Sequence, residues 1–122
     1  MTRITLSSLT VGVLAAALFL VPASAMTTPK LSGTVGPGFT ITLTKAGKKV
    51  TSLKAGKYTF VIHDKATAHN FTLEKKGGHG KTLTATAFMG TKTLTVTLSK
   101  GTWKYYCSVH ESVMFGSFKV TA

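Results

Sequence analysis

Strict two-residue alternation constrains this chain more than any other feature. Phe39, Ile41 and Leu43 alternate with Thr40, Thr42 and Thr44, and Leu94, Val96 and Leu98 alternate with Thr93, Thr95 and Thr97. Tyr58, Phe60 and Ile62 share one parity, as do Trp103, Tyr105 and Cys107. A period of two places alternate side chains on opposite faces of an extended strand, so each run predicts a half-buried β-strand with those residues inward. Leu31 to Val35 reads as a first strand, and Phe118 and Val120 belong to a last one. Turn residues punctuate the runs at Gly36-Pro37-Gly38, Ala46-Gly47-Lys48-Lys49, Ala55-Gly56-Lys57 and Ser99-Lys100-Gly101. Leu83 to Met89 has no clean period and stays open between a short helix and an irregular strand. Seven to eight short strands without a sustained helical period predict an all-β fold, an antiparallel β-sandwich of Greek-key type.

The N-terminus follows a different pattern. Met1-Thr2-Arg3 carries positive charge, Leu9 to Val21 is largely apolar, and Ala23-Ser24-Ala25 is a small-residue cleavage signal. Residues 1–25 are expected to be a secretory leader cut after Ala25, with no integral span left in the mature chain. That places the protein outside the cytoplasm, in the periplasm or at the cell exterior. Residues 26–122 are enough for one domain and too few for two. No internal repeat or linker divides them, and a monomer is the expectation.

Without Arg3, the fifteen Lys and Arg residues become fourteen lysines against three acids, a net charge of +11. Such a surface favours acidic redox proteins or an anionic envelope surface as partners. Nucleic acid is a poor match, because this part of the chain has no arginine to read bases or phosphates bidentately.

An exported chain with one cysteine cannot close an internal disulfide, and an exposed thiol is a liability in an oxidising compartment. Metal ligation removes that liability. Cys107, His110 and Met114 follow one another as Cys-x2-His-x3-Met on a turn between two strand-like segments. A thiol, an imidazole and a thioether suit copper, and two His, one Cys and a weak axial Met form a blue-copper donor set. The second imidazole comes from upstream. His69 shares parity with Phe71 and Leu73 and is expected to face the core, whereas His63 has the opposite parity to Phe60 and Ile62 and is the competing choice. The three acids are scattered, so no carboxylate pair suggests catalysis, and no catalytic residue is assigned. The expectation is a binding protein that is not an enzyme.

Tyr106-Cys107-Ser108-Val109-His110, Met114 to Val120, and Ala68-His69-Asn70 upstream resemble the cupredoxins, especially the plastocyanin-like and pseudoazurin-like branch. The resemblance implies one type 1 copper ion at one end of the sandwich, carrying single electrons between redox protein partners by Cu(II)/Cu(I) cycling. It makes His69, Cys107 and His110 the equatorial ligands, Met114 the axial one, and Asn70 a brace for the cysteine loop. Two departures stand out. Three residues separate His110 from Met114, where plastocyanin-like loops have four, and Val109 replaces the proline often found between Cys and His. Two other readings remain: a copper-binding or delivery protein of the same fold without redox shuttling, and a metal-free basic module that adheres to the envelope. An apolar ring of Val109, Val113, Phe115, Phe88 and Met89 around His110 is expected to be the docking face for a partner.

Overall fold

The structure is a computed structural model that describes residues 12–13, 15–17 and 27–122. The cleavage point expected after Ala25 lies outside the described residues, as does most of the leader. Ten strands follow: β1 (Lys30–Val35), β2 (Ile41–Lys45), β3 (Lys48–Lys49), β4 (Ser52–Lys54), β5 (Gly56–Asp64), β6 (Phe71–Lys75), β7 (Lys81–Thr84), β8 (Gly90–Leu98), β9 (Gly101–Tyr106) and β10 (Phe115–Thr121). Among the described residues no helix is long and apolar enough to cross a membrane.

The strands form two five-stranded sheets, ordered β3-β2-β1-β5-β8 and β4-β10-β9-β6-β7. The all-β sandwich is as expected, with more strands than the alternation suggested. Its sheets are also mixed, since β1 runs parallel to β5 and β4 runs parallel to β10. Alternation defines the faces of a strand, but its neighbour and direction depend on how the chain crosses between sheets.

The alternating residues supply the core. Leu31, Val35, Leu43, Phe60 and Ile62 line the inner face of the first sheet, and Phe71, Leu73, Tyr105, Phe118 and Val120 line the second. The rings of Phe71 and Tyr105 stack at 5.9 Å, with an interplanar angle of 10°. Aromatic pairs of this kind add about 0.5–1.5 kcal/mol beyond the area they bury. Trp103 is only partly buried, and its Nε1–H donates to the Ser99 carbonyl at 2.8 Å.

Three local readings change. Lys48 and Lys49 lie in a strand, because Ala46 (φ 49°) and Gly47 (φ 78°) alone make the turn and return the chain onto β2. Two consecutive positive φ angles suit a tight hairpin. Leu83 to Met89 resolves into the end of β7 and a turn closed by the Phe88 N–H donating to the Ala85 carbonyl at 3.0 Å. Phe39 leaves the core, because β2 begins only at Ile41. The Gly36 N–H donates to the Thr40 carbonyl at 2.9 Å and the Thr40 N–H to the Gly38 carbonyl at 2.8 Å, so a tight loop holds Phe39 at its tip, 64 % exposed.

Gly116 on β10 faces Tyr105 on β9, and a Cβ there would fall 2.2 Å from the phenol ring. Gly116→Ala is therefore expected to displace the stacked aromatics and destabilise the domain by about 1–3 kcal/mol. Urea unfolding of the variant beside Gly116→Ala/Tyr105→Leu checks this, with the smaller partner restoring part of the loss.

Candidate metal centre

The β6–β9 pairing creates the centre. Thr72 stands opposite Tyr106 in that antiparallel ladder, so the residues just before β6 and just after β9 meet at one end of the sandwich. His69 and Asn70 come from the first segment, and Cys107 opens the second. On the other edge of β6, its pairing with β7 shifts register by one residue between Phe71 and Thr72. His69 to Leu73 are all buried, so simple parity does not extend back to the histidine. His69 faces inward as expected, but it does so from the loop before the strand.

The β9–β10 connection winds into a compact turn. The His110 N–H donates to the Cys107 carbonyl at 3.1 Å, the Met114 N–H to the His110 carbonyl at 2.9 Å, and the Cys107 N–H to the Met114 carbonyl at 3.0 Å. These bonds place Cys107, His110 and Met114 on one short closed loop. Cys107 and Met114 are fully buried, His69 is 3 % exposed, and His110 is partly exposed.

Of the four sequence-derived site residues, three bring ligand atoms within 4.8 Å of one another: His69, Cys107 and His110. Cys107 Sγ lies 3.9 Å from His69 Nδ1 and 3.8 Å from His110 Nδ1, and the two nitrogens are 3.1 Å apart. The circle through these three atoms has a radius of about 2.1 Å, within the roughly 2.0–2.3 Å span of transition-metal bonds to imidazole nitrogen and thiolate sulfur. The donor set therefore fits a single small metal ion. Met114 lies buried on the same loop. His63 is not brought in, and its Nδ1 pairs instead with Thr91 Oγ1 at 3.2 Å on the outer side of β5.

Asn70 joins the two halves of the centre. Its side-chain NH2 donates to Ser108 Oγ at 2.7 Å and to Thr86 Oγ1 at 2.9 Å. Its carbonyl accepts from the Ser108 N–H at 2.9 Å and from the Thr72 hydroxyl at 3.0 Å. Its backbone N–H points at Cys107 Sγ, 3.4 Å away. Every side-chain polar atom of this buried amide is thus used, and three loops are tied to one residue. Thr72, Thr86 and Ser108 were not singled out in the sequence, because a threonine that braces a loop looks like any other strand or turn threonine.

Phe39 also belongs here. Its ring meets those of His69 and His110 edge-on, with centroids 5.7 and 4.9 Å apart. The backbone beside it is close as well, since a Cβ on Gly36 would lie 3.1 Å from His69 Cδ2. Along β9, Lys104 pairs with Glu111 at 2.7 Å and lies 4.9 Å from the ring centroid of Tyr106. Burial, followed by the Glu74 and Glu111 carboxylates, pushes the Tyr106 phenol above its ordinary pKa.

No protein-family model matches the chain, and comparison with curated proteins finds no match. Among solved structures, reduced rusticyanin superposes with a TM-score of 0.50 at 21 % identity, covering 75 % of this chain and 78 % of that one. Rusticyanin from Thiobacillus ferrooxidans in another structure gives 0.47 at 22 % identity, covering 75 % and 76 %. A reduced Cu(I) amicyanin variant gives 0.47 at 15 %, covering 75 % and 82 %. The chain has the cupredoxin fold, as the likeness to reduced rusticyanin shows.

Asn70→Ala removes four side-chain hydrogen bonds at once and leaves the part-buried Ser108 N–H without its acceptor. The metal-free variant is expected to lose about 2–4 kcal/mol of stability by urea denaturation, with Thr86→Ala losing about 1 kcal/mol.

Proposed function

We propose that this chain is an exported, mononuclear blue copper protein that carries single electrons and is not an enzyme. The observation that carries the reading is the convergence of one thiol and two imidazole nitrogens on a circle of the size a copper ion requires. In this reading His69, Cys107 and His110 hold the ion, and the Met114 thioether is the fourth, weaker donor. Zinc would accept the first three ligands but has little use for a thioether, whereas soft sulfur donors favour copper. Bound copper supplies one-electron chemistry by alternating between Cu(II) and Cu(I).

The chain's own residues suit a carrier. The Asn70 N–H directed at Cys107 Sγ withdraws charge from the sulfur, and the Asn70 side chain keeps the cysteine loop against the β5–β6 loop. Phe39 bears on both imidazoles, so their ring planes are held before any ion arrives. Ligands fixed from outside rearrange little between oxidation states. Burial of Cys107 and Met114 keeps water from the sulfur side and leaves no open position for a substrate.

His110 is the ligand nearest solvent. Around this end Val109, Val113 and Met89 are more than half exposed, Phe115 is 57 % exposed, and Phe39 joins them. An apolar face with a ligand imidazole in it suits brief docking by a redox protein. An acidic partner would be drawn by the net charge of the chain, although few lysines border this face.

Adding one equivalent of Cu(II) is expected to produce an intense visible thiolate-to-copper absorption that reductant bleaches and Cys107→Ser abolishes. Tight Cu(I) binding without that absorption would instead indicate copper delivery, and no stoichiometric copper would overturn the metal reading. Val113→Glu should leave the absorption intact and slow electron exchange with the native partner at least about tenfold, as a charge in an apolar interface core does. Stopped-flow kinetics would read the change, and an unaltered rate would move docking to another face.

A further inference from the structure

The lysines are distributed unevenly, and the topology shows where they collect. β1, β5, β7 and β9 run towards the metal centre, and β2, β4, β6, β8 and β10 run away from it. Lys30 begins β1, Lys45, Lys48 and Lys49 surround the β2–β3 turn, and Lys54 and Lys57 flank the β4–β5 turn. On the other sheet Lys75 ends β6, Lys76 follows it, Lys81 begins β7, Lys100 sits in the β8–β9 turn, and Lys119 is near the end of β10. These eleven of the fourteen lysines occupy the pole opposite the metal centre, and all but the half-buried Lys75 are exposed.

Among the described residues, one acid, Glu74, borders that pole against its eleven lysines. Asp64 and Glu111 lie at the metal end with Lys65 and Lys92, whereas Glu74 is the next-to-last residue of β6, opposite Lys104 and one residue from Lys75. Lys45 and Lys48 stand directly across from each other in the β2–β3 ladder, a pairing that costs stability. Among the described residues of the sandwich, every large exposed apolar side chain is at the other end: Phe39, Met89, Val109, Val113 and Phe115. The lysine pole therefore offers charge without a wedge. It also contains an open depression of about 750 Å3, lined by Lys45, Lys54, Lys57, Pro29, Tyr58 and Thr121.

We propose that this pole seats the protein on an anionic lipid bilayer, with the metal centre facing away from the membrane. Lysine ammonium groups are point charges without the bidentate fork of arginine, so they suit a dense field of headgroup phosphates better than one shaped protein site. The lysines occupy the tips of several turns at one end, and a flat surface meets all those tips together. The described chain also enters β1 at this pole, directly after Pro29. Attachment by charge alone is reversible and fades over a screening length of about 10 Å at 0.1 M salt.

The test uses the exported protein, with and without copper, in cosedimentation with phosphatidylcholine vesicles that contain or lack phosphatidylglycerol. Expected are binding only to the anionic vesicles, loss of binding in about 1 M salt, where screening acts over about 3 Å, and no dependence on copper. Lys54→Glu/Lys57→Glu should weaken binding at least about tenfold, while Lys65→Glu/Lys92→Glu, with the same change in net charge, should leave it within about twofold. Equal losses in the two double variants would overturn the pole in favour of net charge. Equal binding to neutral vesicles would overturn the electrostatic basis, and preferential binding of soluble polyphosphate, with the same contrast between variants, would assign the pole to a polyanion. Because the readout is independent of metal, failure of this proposal leaves the copper reading standing, and the reverse also holds.

Discussion

The metal end of this protein depends on the antiparallel pairing of β6 with β9. That ladder puts Thr72 opposite Tyr106, and from there the positions of His69 and Cys107 follow within a few bonds. A slip of one residue would turn each strand's inward set outward and carry the donors apart. The register is held by the residues it buries, Leu73 and Tyr105, and by the stack of Tyr105 on Phe71. The ligand geometry is thus set by hydrophobic packing several residues away.

On that frame, the polar groups of the centre form a closed network. A buried amide with unmet hydrogen bonds would cost more than the network gains. Asn70 avoids this by using both N–H groups and both lone-pair directions of its carbonyl across three loops. Phe39 adds an apolar wall from a fourth loop and reaches both imidazoles from the solvent side. The network restrains the cysteine loop, and the aromatic wall restrains the imidazole rings.

The two ends of the sandwich differ in chemistry. One concentrates donor atoms and exposed apolar side chains with nearly balanced charge. The other concentrates lysines, including a directly opposed pair that folding alone would not favour. Separating the two keeps strong positive potential away from the candidate metal centre, where repulsion between like charges would oppose binding of a cation.

Much of this was legible in the sequence. Alternation identified nearly all the inward residues of β5, β8 and β10, and the single thiol with its downstream imidazole and thioether marked the loop. His69 was identified through its parity with Phe71, although the chain there is a loop and five consecutive residues are buried. Phe39 was misplaced because the same alternation continues into a turn whose hydrogen bonds end the strand early. Periodicity and donor chemistry are local properties, so the chain by itself determined an all-β class, the facing of most side chains and a copper-suited set of ligands. Only the tertiary structure decided which strands became neighbours, that two pairs run parallel, that Asn70, Phe39 and three hydroxyl side chains converge on the centre, and that the lysines share one pole. Those facts arise from contacts between residues far apart in sequence, and no local pattern records them.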